Sequence, residues 1–256
     1  MELVVGILTG LLGIVGVPGI VLDGLAADLV RRQVDRVEVL EVRVDNSPSY
    51  QLVWGRVDRL RLASRGLYPF NFLRIDTLEL ETAPIDIDPS SLQGNIKLRQ
   101  PLQAAVKLIL TAEDLNRALR SPEVISMLPK LRVDLANVGK PEELLIKNAQ
   151  IGFLGQNRLA LVADLQPSDG SNVLPVRVEA GLRIVGGRRL ELIEPQVSLR
   201  GVEVPRQLTE GLSQGLVRLL DLSLLERSGV SARVLQLVIE QDSLQLIGYA
   251  RMEQFR

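Results

Sequence analysis

Residues 181–193 read GLRIVGGRRLELI, two arms of alternating apolar and polar residues on either side of Gly186 and Gly187. Alternation puts every second side chain on one face of a strand, and a Gly-Gly pair supplies the positive φ that a tight hairpin turn requires. The stretch predicts two antiparallel strands joined by a two-residue turn at 186–187. A second hairpin is read from VLQLVIEQDSLQLIGYA (234–250), turning near Gln241 and Asp242. Working outward, VEVLEVRVD (37–45), VDRLRLASRGL (57–67), LRIDTLELE (73–81), PLQAAVKLIL (101–110), ELLIKNAQIGFL (143–154), NRLALVADLQ (157–166), LPVRVEAGLRIV (174–185) and RRLELIEPQVSL (188–199) alternate or run apolar over strand lengths. The chain is therefore read as mostly antiparallel sheet. Val37 and Val39 are followed by Val42 and Val44, a break in alternation that predicts a bulge and a bent sheet.

Three helices are expected among these strands. DGLAADLVRRQV (23–34) opens on a capping Asp, and in TAEDLNRALRS (111–121) Thr111 and Asp114 resemble a capping box ahead of the shared face Leu115, Ala118 and Leu119. In PRQLTEGLSQGLVRLLDL (205–222), Pro205 suits a first helical position, and Leu208, Leu212, Leu216 and Leu219 form one stripe. No low-complexity linker interrupts residues 23–256, which are read as a single α+β domain.

Composition narrows the chemistry. Apolar residues make up 46% of the chain and aromatics only 3%, so the interior is aliphatic; a net charge of −1 gives no electrostatic reason to bind nucleic acid. There is no Cys and no His. Disulfides, thiolate nucleophiles, Ser-His-Asp and Cys-His catalysis are thereby excluded, along with the commonest transition-metal ligands. Glu79 with Glu81, and Asp86 with Asp88, place paired carboxylates on a strand face, but without a third ligand they make weak metal or acid–base candidates. No catalytic residue, metal or cofactor is assigned.

From Leu3 to Leu22 the chain carries no charge. Twenty helical residues span about 30 Å, the thickness of a bilayer's hydrocarbon core. Residues 1–22 are read as an apolar membrane-associated segment. A helix packed into the fold stays open as an alternative, and Met1-Glu2 with a poor cleavage candidate at Gly24-Leu25-Ala26 argues against a removable signal.

The runs VRVDNSPSYQLVWGRVDRLRLASRGLYP (42–69), LELETAPIDID (78–88) and LTAEDLNRALRSP (110–122) resemble the LmeA-like phospholipid-binding family. The resemblance implies a non-enzymatic protein with membrane phospholipid as its partner. It also implies a fold class: α+β, with a long, curved, mostly antiparallel β-sheet wrapped around a few amphipathic helices, similar to tubular lipid-binding proteins. Acyl chains would lie in an apolar groove, in lipid transfer or membrane maintenance; a membrane-anchored scaffold that binds proteins through its sheet surface is the alternative. The family suggests the periplasmic or lumenal side, whereas Arg31, Arg32 and Arg36 behind the apolar segment favour the cytoplasmic side.

Five aromatic residues, Tyr50, Trp54, Tyr68, Phe70 and Phe72, fall within 23 positions, around a turn read at Gly66 and Pro69. Trp and Tyr favour the boundary between water and hydrocarbon, which makes Trp54, Tyr68, Phe70 and Phe72 candidate lipid or membrane contacts, with Leu3 and Leu22 ending the membrane segment. A buried corner of the sheet would explain the same residues. Arg56, Arg59, Arg61 and Arg65 are near enough in sequence to meet anionic headgroups, or to line a solvated strand face.

Overall fold

The computed structural model describes residues 27–28, 30–32, 34–91, 97–127, 131–133, 142–167, 173–204, 209 and 230–253. The apolar stretch Leu3–Leu22 and nearly all of the helix expected at 205–222 lie outside them. Contacts divide the chain into two compact units, one of residues 1–110, 222–236 and 245–256, the other of 111–221 and 237–244.

The first unit is built on a six-stranded sheet, two of whose strands have one end, residues 237–239 and 243–244, in the second unit. Its strands are β1 (Arg36–Asp45), β3 (Arg59–Phe70), β4 (Leu73–Thr82), β6 (Leu102–Thr111), β13 (Val230–Ile239) and β14 (Ser243–Met252), in the order β1-β3-β4-β6-β14-β13. A ribbon of β2 (Arg56–Val57) and β5 (Ile85–Asp86) adds Val57 and Ile85 to the core. Helical residues Ala27 and Val30 pack there too, as the sequence led one to expect of 23–34.

Antiparallel register aligns Val42 with Leu62, Leu62 with Leu80 and Leu80 with Val106. Because side chains alternate, this row faces the core, and the flanking rows Glu41, Ala63, Glu79, Lys107 and Arg43, Arg61, Glu81, Ala105 face the other way.

The second unit holds β7 (Leu131–Val133), β8 (Glu142–Gly155), β9 (Arg158–Pro167), β10 (Leu174–Val185), β11 (Arg189–Leu199) and β12 (Val202–Glu203), ordered β12-β11-β10-β9-β8-β7. Helices α1 (Ala112–Leu119) and α2 (Pro122–Met127) precede it. Thr111 caps α1 as expected: its Oγ1 accepts from the Asp114 N–H at 3.1 Å. Leu144, Ala149, Ala163, Leu165, Val176, Val178 and Val197 form a buried core cluster.

The expected fold class is overturned here. One long curved sheet wrapped around helices is replaced by two open six-stranded sheets and a separate ribbon, with β1, β13, β7 and β12 at the sheet edges. The reason is local. Thr111, the last residue of β6, is also the cap of α1, so the chain leaves the first sheet through two helices before β7 begins another. Alternation along a strand reads the same in one sheet as in two.

The hairpins stand, with one adjustment. Gly186 and Gly187 have φ of 60° and 69° and the Arg188 N–H donates to the Val185 carbonyl at 3.3 Å, but the ladder resumes at Val185 opposite Arg189, so the loop holds three residues. The Gln241–Asp242 turn closes through the Glu240 N–H to the Ser243 carbonyl, 2.9 Å. Gly66 and Pro69 are not the turn expected there. Both lie inside β3, and the chain reverses at Asn71 and Phe72, between paired Phe70 and Leu73.

The irregularity anticipated after Val39 is also of another kind. Register is unchanged on either side, Val37 opposite Leu67 and Val39 opposite Arg65, while the inward positions of β3 shift from Leu62 and Ser64 to Leu67 at Gly66, whose φ is 58°. A left-handed residue turns the strand over without adding a residue. Glu38, across the ladder, occupies the space a Gly66 side chain would need.

Two asparagines tie the second unit together where backbone pairing is interrupted. Asn116 on α1 donates from Nδ2 to the Ile151 carbonyl (2.8 Å) and accepts at Oδ1 from the Ile151 N–H (2.7 Å), imitating a neighbouring strand. Asn157, at φ 58°, does the same for Ile239: its Oδ1 accepts from the Ile239 N–H at 2.8 Å and its own N–H donates to the Ile239 carbonyl at 3.2 Å. Asn116→Ala removes two partly buried hydrogen bonds and should lower unfolding free energy by about 1–3 kcal/mol, read from the urea midpoint at unchanged slope.

Candidate functional site

The aromatic residues that lie close in sequence are drawn apart by the first sheet. Tyr50 and Trp54 sit on a 3-10 helix, Ser49–Trp54, next to the start of β3, whereas Tyr68, Phe70 and Phe72 sit at its far end. Eleven steps of strand separate the two groups by roughly 35 Å. No single loop presents all five.

Their surroundings differ as well. Tyr50 and Trp54 are 67% and 65% exposed. Tyr68, Phe70 and Phe72 are half-buried. The Phe70 and Phe72 rings stack with centroids 5.4 Å apart and planes 5° from parallel, and the Arg36 guanidinium lies 4.0 Å over the Tyr68 ring. At this end Arg74 grips Glu38 with Nε and Nη2, each 3.2 Å from a carboxylate oxygen, and reaches Asp76 with Nη1. Hydrogen bonds from Arg74 hold the Glu38 carboxyl below its ordinary range.

The paired carboxylates are engaged by cations or hydroxyls. Glu79 meets Lys107 at 3.3 Å, Glu81 meets Arg59 at 3.3 Å and Arg61 at 3.5 Å, and Asp86 meets both Arg56 and Arg99 at 3.5 Å. Asp88 accepts from the Ser90 hydroxyl and backbone N–H, which hold its carboxyl low. Among the described residues there is no group of three or more carboxylates placed to hold a metal ion. Arg59 and Arg61 are bound up in these cross-strand pairs, as on a solvated face.

An open depression of about 600 Å³ lies on the charged side of the first sheet. Its lining mixes charged Glu41, Arg43, Arg61, Glu79, Glu81 and Lys107 with aliphatic Val42, Leu62, Leu80, Val106 and Ile247, and the short side chains of Ala63 and Ala105 leave its floor open. The apolar side is different. Val106, Leu108 and Leu110 on β6 pack against the first core yet stay only half covered, and neighbouring β14 is half-buried from Ser243 to Ala250. Sequence reasoning did not single out this strip, because the same alternation marks a fully covered strand. No helix among the described residues is long and apolar enough to cross a membrane.

A family model described as LmeA-like phospholipid-binding matches residues 17–248. Searches of curated proteins and of solved structures find no match.

Two outcomes follow from the hairpin end. Phe70→Ser with Phe72→Ser should lower unfolding free energy by about 2–4 kcal/mol, through lost burial and a lost ring pair, as a fall in melting temperature. The Glu38–Arg74 contact stabilises the fold above the unfolded carboxyl's pKa near 4.5 and is lost as pH falls through the lower folded value. In Arg74→Met the Glu38 carboxyl, followed by NMR, should titrate higher than in the parent.

Proposed function

The chain belongs to the LmeA-like phospholipid-binding family, and on that premise we propose that it is a membrane-associated protein that shelters phospholipid acyl chains against the half-covered aliphatic strip of its first sheet. The family is one of lipid binders rather than catalysts. Residues 23–256 act as the lipid-binding domain and the apolar segment 1–22 keeps it at the membrane, for lipid transfer or for membrane maintenance.

The observation that carries this reading is the chemistry of β6. Val106, Leu108 and Leu110 stand on one side of the strand and offer hydrocarbon without a polar group between them. Each CH₂ that leaves water there contributes about 0.8 kcal/mol, and no catalytic group is needed to hold an acyl chain. Lys107 and Gln103 point to the opposite side, so headgroup charge and acyl chain do not compete for one surface.

The test is direct. Protein purified from cells without detergent, apart from what residues 1–22 require, should carry phospholipid detectable by organic extraction and mass spectrometry. Added phospholipid should raise its melting temperature, since a ligand that binds only the folded state stabilises it. Leu108→Glu should cut the recovered lipid while leaving a cooperative unfolding transition. If neither the parent nor lipid-supplemented protein holds phospholipid, the acyl-sheltering reading fails and the scaffold alternative replaces it.

A further inference from the structure

Among the described residues, the most exposed aromatics stand on the short turn that precedes β2. Within Ser49–Trp54, Leu52 packs against the first core, which leaves Tyr50 and Trp54 outward. The other described aromatics near the first sheet's far end are at least half covered. Leaving an indole in water forgoes the burial free energy of one of the largest apolar side chains, so its exposure asks for an occupant.

The turn is held firmly. The Gly55 N–H donates to the Leu52 carbonyl at 3.0 Å, and the Gly55 carbonyl accepts from the Ile87 N–H at 2.9 Å. Gly55 has φ of 77°, and a side chain there would come within 2.5 Å of the Ile87 carbonyl oxygen. Only glycine allows this approach, which holds the backbone immediately after Trp54 in place. Arg56 follows immediately. Asp86 is shared between Arg56 and Arg99 at 3.5 Å each, and both guanidiniums are about half exposed. A guanidinium has five N–H donors, so one carboxylate leaves most of these ten uncommitted.

We propose that Tyr50, Trp54, Arg56 and Arg99 form a bilayer-docking face, with the two rings seated among phospholipid headgroups and the two guanidiniums donating to lipid phosphates. The proposal rests on the phospholipid-binding reading and adds where the protein meets the membrane. Indole and phenol rings combine an apolar body with a polar N–H or O–H, which suits the headgroup layer better than water or hydrocarbon. Guanidinium matches phosphate oxygens in geometry as well as charge. Every phospholipid carries that phosphate, so vesicles without net charge suffice.

Trp54 is the only tryptophan in the chain, and its fluorescence therefore reports on this face alone. Full-length protein is mixed with phosphatidylcholine vesicles, plain or brominated near the top of the acyl chains, and sedimentation and emission are measured on the same samples. The expected result is a blue shift and quenching by the brominated lipid, with smaller quenching in Arg56→Gln, Arg99→Gln protein. Co-sedimentation with emission unchanged and unquenched would overturn the docking face and leave phospholipid binding intact, including any attachment through residues 1–22. Absence of co-sedimentation would also overturn it. In that case lipid extraction from the purified protein decides separately whether phospholipid binding itself survives.

Discussion

The row Val42, Leu62, Leu80 and Val106, one residue from each of four neighbouring strands, sets the character of the first sheet. Antiparallel register keeps these four side chains in line, and a slip of one residue in any strand would bring a charged neighbour into the core. The price of that slip is several kcal/mol per buried charge, which is what holds the register. Everything on the opposite side follows from it. Glu41, Glu79, Glu81, Arg43, Arg61 and Lys107 fall on the outer face because the row between them faces in.

With charges of both signs confined to one face, their pairing is a consequence of position. Lys107 lies opposite Glu79, and Arg61 lies opposite Glu81, in the same ladders that align the apolar row. Exposed pairs of this kind add little stability each. Their effect is to keep the outer face well hydrated while the inner face stays aliphatic. On the inner side, the covering elements are the ribbon and the helical residues near Val30, which bring Val57, Ile85 and Ala27 into the core. The β6 strip is only partly buried and continues from the core.

The second unit shows a different solution to interrupted pairing. Where strands bulge or turn, two asparagine side chains complete hydrogen bonds that a neighbouring backbone would otherwise make, Asn116 to Ile151 and Asn157 to Ile239. In Asn116 the side-chain amide supplies both donor and acceptor, whereas Asn157 accepts at its side-chain Oδ1 and donates from its backbone N–H, and so each stands in for a strand edge. Both residues look like ordinary surface polar positions in the sequence. Their partners are 35 and 82 residues away, beyond the reach of any local pattern.

The sequence by itself determined what depends on near neighbours. Gly186-Gly187 and Gln241-Asp242 mark their turns, Thr111 and Asp114 mark a helix start, and alternation marks the strands, because each rests on contacts within a few residues. The lack of His and Cys bounded the chemistry without reference to any fold. The LmeA-like resemblance, carried by runs within residues 42–122 and covering most of the chain, agrees with a family match that spans 17–248. Only the tertiary structure decided how strands share sheets. Pairing β6 with β14 joins segments more than a hundred residues apart, and the strand pattern is identical whichever partner is chosen. The same holds for the aromatics. Trp54 and Phe70 are sixteen positions apart in the chain, but Trp54 precedes the start of β3 and Phe70 ends it, one exposed and the other half-buried. Gly66 and Pro69 read as a turn because both residues favour turns, yet a single left-handed glycine can invert a strand and let it continue, with the Glu38 carboxylate in the space a side chain would take.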